Sequence, residues 1–198
     1  MQFILASSND KKAEEFSNLF ADNVLSIIPA AEKIEVVEDG HSYYENSLKK
    51  AQAYFEHFAV PTVSDDSGLN VEVLPNELGI HSARFGGDDL DFNQRMDLLL
   101  EKMSATENRK AHFTCVLCFY FSPRDIYFFE GRLDGHILKE RSGSYGFGYD
   151  AIFSPLKHGS FMSLAELPDW KRLHSHRAQA ANKAEVFFRE MVCQSPRI

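Results

Sequence analysis

Apolar and polar positions along the chain fall into two periods. Phe3 to Ala6 is a short apolar run that stops at the polar cluster Ser7-Ser8-Asn9-Asp10, after which Ala13, Phe16, Leu19 and Phe20 recur at helical spacing. The pattern predicts strand, loop and helix. A second stripe of Tyr44, Leu48, Ala51 and Phe55 predicts a helix from Tyr43 to Phe58, with Pro61 marking its end. Thr62-Val63-Ser64 then reads as a short strand, Asp65-Asp66-Ser67-Gly68 as a turn, and Leu69, Val71 and Val73 as the next strand. Met96, Leu99, Leu100 and Met103 place a helix within Asp91 to Met103. His112 to Phe121 is a β-branched and aromatic run suited to a buried strand, which Ser122-Pro123-Arg124-Asp125 folds back onto Ile126 to Glu130. A glycine-rich loop from Gly143 to Gly148, a short Ala151-Ile152-Phe153 stretch and a final helix from about Ser175 to Cys193 complete the chain. There is no internal repeat and no linker, so residues 1–198 read as one α/β domain, a mixed β-sheet with flanking helices.

Composition changes this picture little. The chain has 44% hydrophobic and 25% charged residues, and its 17 Phe and 7 Tyr predict an aromatic core. A net charge of -8 repels a polyphosphate backbone, which argues against nucleic acid as a partner. From Lys171 onward, however, six Lys or Arg face only two Glu, a patch that suits a single triphosphate. Neither a leader pattern nor a membrane-length apolar run occurs, and three cysteines cannot all pair with one another; a cytoplasmic enzyme with buried thiols is the expectation.

Several stretches offer chemistry. Ser7, Asn9 and Lys12 sit where a strand hands over to a helix, so backbone N–H groups, a hydroxyl and a lysine can converge on a phosphate; capping by Ser8, Asn9 or Asp10 explains the same residues. Glu45 pairs with Ser42 at capping-box spacing, and Lys50 is either a phosphate contact or an ordinary exposed lysine. Two adjacent carboxylates, Asp65 and Asp66, are costly after a buried strand unless a cation or hydrogen bonds compensate them; magnesium is the expected cation, and a polar β-turn is the alternative. The loop Gly143-Ser144-Tyr145-Gly146-Phe147-Gly148-Tyr149-Asp150 lets backbone approach a ligand while a ring stacks on a base, but its spacing excludes a dinucleotide fingerprint. Cys115 and Cys118 match C-x-x-C yet point to opposite faces of a strand, and His174-Ser175-His176-Arg177 lacks the companions a zinc site needs.

Taken in order, these pieces resemble the inosine triphosphate pyrophosphatase family. The most specific are Ser7-x-Asn9-x-x-Lys12, Glu45-Asn46 with Lys50-Ala51, Ser64-Asp65-Asp66-Ser67-Gly68-Leu69, Ser82-Ala83-Arg84-Phe85, Gly146-Phe147-Gly148-Tyr149-Asp150 and Ser175-His176-Arg177. The resemblance implies two lobes around a central substrate cleft, a homodimer, and magnesium-dependent hydrolysis of ITP, dITP or XTP to the monophosphate and pyrophosphate. It matches Ser7, Ser8, Asn9, Asp10, Lys11 and Lys12 to a phosphate-binding loop, Lys50 to a further phosphate contact, Glu45 and Asp66 to the magnesium carboxylates, and Asp66 also to the general base. Ser67 matches a substrate contact. Phe147, Gly148, Tyr149 and Asp150, with Lys171, His176 and Arg177, match positions that enclose and read the purine. The chain departs from the family pattern at Leu78, where proline is common, at Ser144, where glycine is frequent, and in the segment Trp170 to His174. A related Maf-type pyrophosphatase and a non-catalytic nucleotide sensor are the alternatives.

Overall fold

The computed structural model describes residues 1–20 and 24–194. Strand β1 (Gln2–Ala6) leads into helix α1 (Asp10–Leu19) and strand β2 (Ser26–Pro29); helix α2 (Tyr43–Phe58) precedes strand β3 (Thr62–Val71). Helix α3 (Phe92–Lys102), the long strands β4 (Lys110–Ser122) and β5 (Asp125–Ile137), the short strand β6 (Phe153–Pro155) and helices α4 (Pro168–His174) and α5 (His176–Gln194) follow. The six strands form one mixed sheet in the order β2-β1-β3-β4-β5-β6, with β1 parallel to both β2 and β3 and β5 antiparallel to β6. No described helix is long and apolar enough to cross a membrane.

The chain divides into two compact units, one of Met1–Asp66, Cys115–Gly131 and Arg177–Ile198, the other of Ser67–Thr114 and Arg132–His176. The core of the first unit is aromatic: Phe3 meets Phe119 and Phe121 edge-on at 5.0 and 4.9 Å, and Phe188 of α5 joins them. A smaller cluster in the same unit gathers Ala51, Cys118 and Tyr120. Cys115 and Cys118 thus lie in different clusters, as strand alternation predicts, and burial pushes the Cys118 thiol up to about 12. Cys193 departs from the expectation of three buried thiols, since it is exposed near the end of α5. The second unit packs Leu69, Leu99, Met103, Leu133, Ile152, Phe153 and Leu164 into its own core. There Asp91 caps α3 in a reciprocal capping box with Gln94.

The structure corrects the sequence reading at one decisive place. Asp65-Asp66-Ser67-Gly68 is no turn but the middle of β3, which runs unbroken from Thr62 to Val71. Asp and Gly are poor strand formers, so packing must override propensity here. Gly68 allows it in the second unit: a Cβ there would sit 2.0 Å from the Gly79 carbonyl oxygen and 2.8 Å from Ser82 Oγ. Strands β4 and β5 are also longer than predicted, while β2 and α4 lie in segments too short or too mixed to show a period.

Candidate active site

In the first unit, β1 delivers the polar loop to the start of α1. Asn9 is the N-cap: its Oδ1 accepts from the N–H groups of Lys11 and Lys12, while Ser7 Oγ accepts from Asn9 N. Capping is therefore what Asn9 does with its side-chain oxygen. Ser8 and Lys11 are exposed, and the exposed Asp10 carboxylate is held by Lys33 Nζ at 2.7 Å. Lys12 reaches across to Asp65, 3.0 Å from its Oδ1.

Because successive strand residues alternate in direction, Asp65 and Asp66 meet different surroundings. Asp65 is buried between Lys12 and the guanidinium of Arg177, whose Nη2 lies 3.1 Å from Oδ2 and whose Nη1 pairs with Glu15. Burial alone raises a carboxyl, but Lys12, Arg177 and Lys50 outweigh it and hold Asp65 well below the usual carboxylate range. Asp66 accepts from Asn46 Nδ2 at 3.1 Å and faces Lys50 at 3.9 Å. Its burial prevails over Lys50 and Lys12, and with Glu38 adding repulsion the Asp66 carboxyl is raised. Two neighbours are thus driven in opposite directions, Asp65 downward and Asp66 upward.

The segment before α2 lacks regular structure, yet it is fastened along that helix from end to end. Glu32 pairs with His57, Ile34 N donates to Tyr54 Oη at 3.0 Å, Glu38 accepts from Lys50 at 2.8 Å, Asp39 pairs with Lys49, Gly40 N donates to Asn46 Oδ1 at 2.8 Å and His41 N to Glu45 Oε2 at 2.8 Å. Gly40 is required by closeness, since a Cβ would lie 2.6 Å from Asn46 Oδ1. Ser64 Oγ and Thr62 Oγ1 donate to the carbonyls of Ser47 and Ala51 and bind β3 to the same helix. Lys50 is nearly buried; burial opposes its charge, but Asp65, Asp66 and Glu38 raise it above its ordinary range. A cavity of about 230 Å³ opens here, lined by Ser7, Ser8, Lys33, Glu38, Lys50 and Tyr54 among others.

The second unit carries a different cluster. Asp150 Oδ2 accepts from both Phe147 N and Lys171 Nζ, each at 2.8 Å, and the Lys171 ammonium stands 4.8 Å from the centre of the Phe147 ring. Gly146, at φ +81°, makes room: a Cβ would fall 2.1 Å from Asp150 Oδ2. Tyr149 is buried, donating to the Ser82 carbonyl at 2.8 Å and meeting Phe92 edge-on. His176 lies flat on Phe113, ring centres 4.7 Å apart. Ser67 is half-buried on β3.

Residues 3–187 match the model of the Ham1 family. This chain belongs to that family. Among its Ham1 relatives, a dITP/XTP pyrophosphatase of Methylococcus capsulatus is 40% identical, covering 91% of this chain and 92% of its own, and one of Aquifex aeolicus is 36% identical, covering 92% and 94%. The solved Staphylococcus aureus Ham1 protein superposes with a TM-score of 0.84 at 31% identity over 96% of this chain and 100% of that one.

Within this Ham1 chain the structure brings Ser7, Asn9, Lys12, Lys50 and Asp66 together in the first unit and Phe147, Tyr149, Asp150 and Lys171 in the second. Arg177, which the resemblance matches to a base-reading position, has its guanidinium buried in the first unit against Asp65 and Glu15. Glu45 is exposed and spends Oε2 on His41 N, so the carboxylate that shares Lys50 with Asp66 is Glu38. Sequence reasoning missed Glu38, the hold of Asn46 on Asp66 and the separate role of Asp65. Alternation along an unbroken strand is the signal that separates Asp65 from Asp66; Glu38 sits in an aperiodic segment with no such signal.

Proposed function

We propose that this protein hydrolyses deaminated purine nucleoside triphosphates (ITP, dITP and XTP) to the monophosphate and pyrophosphate, and so clears them from the nucleotide pool. The gathering of Asn46, Lys50 and Asp66 beside the cavity at Ser7 and Ser8 carries the reading, because cations next to a held carboxylate suit phosphate chemistry. The Ham1 family and the names of its relatives agree with it.

The donor set suits magnesium. Among the described residues no three His, Cys, Asp or Glu side chains gather as a self-contained cage; Asp66 and Glu38, both beside Lys50, are the hard carboxylates that would hold magnesium together with the substrate. When bound, magnesium neutralises phosphate charge and polarises phosphoryl oxygens. Asp66, raised by burial, takes a proton from the water that attacks the α-phosphorus; the bond to the bridging oxygen breaks and pyrophosphate leaves. Lys12, oriented by Asp65, and Lys50, oriented by Glu38, stabilise the charge that leaves with it. Asn46 fixes the Asp66 carboxylate through its amide.

In the second unit, the Phe147 ring and the Lys171 ammonium serve the base. A 6-oxo group accepts from Lys171 or a backbone N–H, whereas the amino group of adenine sets donor against donor. We further propose a cytoplasmic homodimer. Unpaired Cys115, Cys118 and Cys193 fit a reducing compartment, and Leu156, Phe161 and Met162 present exposed apolar surface within seven residues. Sedimentation of the purified protein at twice the monomer mass is the expected result.

The deciding experiment is pyrophosphate release from ITP, XTP, GTP, ATP and dTTP, with magnesium present and then chelated. Magnesium-dependent turnover of ITP and XTP well above ATP and GTP is expected. A preference for dTTP points to the Maf type, and binding without turnover to a sensor.

A further inference from the structure

One of the two lysines that line the cavity at the phosphate loop has no part in the chemistry above. Lys33 lines the same cavity of about 230 Å³ as Ser7, Ser8 and Lys50. We propose that Lys33 is a further phosphate-binding residue, one that grips the terminal phosphates of the substrate and the departing pyrophosphate, with Asp10 as its internal stand-in for that anion. This rests on the reading that the cavity takes the triphosphate.

Four observations lead there. The other lysine of the lining, Lys50, is committed to Glu38 at 2.8 Å with Asp66 beyond, and Lys12 nearby is committed to Asp65 at 3.0 Å. Glu35 and Glu38 add negative charge to the lining, so a polyanion entering the cavity needs a further positive group. Lys33 supplies one on a loose tether: its pairing with Asp10 is exposed on both sides, at 56% and 86% of the side-chain surfaces, and exposed ion pairs hold their members weakly. Its backbone, in contrast, is held close by, because Tyr54 Oη bonds both the N–H and the carbonyl of the neighbouring Ile34. A pinned base and an exchangeable tip let the ammonium pass from one carboxylate to a phosphate of several charges without reorganising the chain.

Asp10 then acts as a competitor. It stands in the first turn of α1, where its carboxylate benefits from the helix dipole, and it holds the very cation that a phosphate seeks. Removing it has the opposite effect from removing Lys33, and this opposition separates the inference from a general loss of binding.

Calorimetric titration of inorganic pyrophosphate and of inosine monophosphate, with magnesium present, tests it on wild type, Lys33→Ala and Asp10→Asn. Lys33→Ala should weaken pyrophosphate by about tenfold and inosine monophosphate by less than about twofold, as fits one charge-assisted contact to the terminal phosphates. Asp10→Asn should tighten pyrophosphate by about two- to threefold. Unchanged pyrophosphate affinity in Lys33→Ala, equal loss for both ligands, or weaker binding in Asp10→Asn would overturn the assignment of Lys33. A wild-type protein that neither hydrolyses ITP nor binds pyrophosphate would instead refute the pyrophosphatase reading itself.

Discussion

The charged cluster of the first unit and the Phe147 corner of the second solve different problems with different means. Around Asp65 and Asp66, three cations (Lys12, Lys50 and Arg177) are set against carboxylates in a buried place, and the balance of burial and charge lowers Asp65 and raises Asp66 and Lys50. Around Phe147 the Lys171–Asp150 ion pair stands with elements of shape: two glycines at positive φ, a ring, and a backbone N–H locked by the same Asp150. A polyphosphate is recognised by charge, which many lysines can supply in approximate positions. A base is recognised by the direction of a few donors, which demands a rigid loop. Damage to the first region should therefore cost rate and stability, and damage to the second should cost selectivity.

The largest effect is expected at Asp66. Asp66→Asn keeps the shape and the hydrogen bond from Asn46 but removes the proton acceptor, so turnover of ITP should fall by about 10² to 10⁴-fold. The unfolding midpoint should move little. Near-normal turnover in this variant would detach the poised carboxylate from catalysis. Asp65→Asn makes the reverse case, because it leaves Arg177 and Lys12 facing a neutral group in a buried place. A loss of about 3 to 5 kcal/mol is expected from urea unfolding at pH 7, at the lower end because Glu15 still holds Arg177. The pH dependence sharpens this. The folded Asp65 carboxyl lies below its unfolded value, so its contribution is complete above about pH 4 and is lost as the pH falls further. Wild type should weaken more steeply than Asp65→Asn below that point, and equal slopes would show that Asp65 is not the stabilising anion.

The two regions also differ in how far the sequence disclosed them. Periodicity placed α2 to the residue, Tyr43 to Phe58, because its apolar stripe and the cap at Ser42 agree. The same reasoning made a turn of Asp65 to Gly68, since local propensity cannot see that Lys12 and Arg177, far away in the chain, will neutralise a buried carboxylate. The ion pairs of Arg177 were hidden for a matching cause: its partners Asp65 and Glu15 are far away in the chain. Glu38 lies where every fastening to α2 is a side-chain contact, so no period marks it. The Phe147 loop was more legible, because glycines and aromatics in one short stretch signal a backbone shaped for a ligand, and Asp150 lies within it.

Two smaller changes probe that loop. Gly146→Ala forces a methyl to within 2.1 Å of Asp150 Oδ2 at a backbone angle that side chains avoid, so the loop must shift at a cost of about 1 to 3 kcal/mol. KM for ITP should rise while the thermal midpoint of the protein changes by only a few degrees.

Lys171→Met is the most specific test, read as a ratio of two substrates because it also takes the ammonium from the buried Asp150 carboxylate. Methionine fills the space along α4 and still touches the Phe147 ring, but it takes away the ammonium that stands 4.8 Å from the ring centre and its bond to Asp150. If Lys171 donates to the 6-oxo group, kcat/KM for ITP should fall by about tenfold, as for the loss of one contact worth about 1.4 kcal/mol, while kcat/KM for ATP stays low and nearly constant. Selectivity narrows from the ITP side. If Lys171 merely props the loop through Asp150, both substrates should suffer alike and their ratio should hold, which would move base recognition to the Phe147 backbone and leave the ammonium a positioning group.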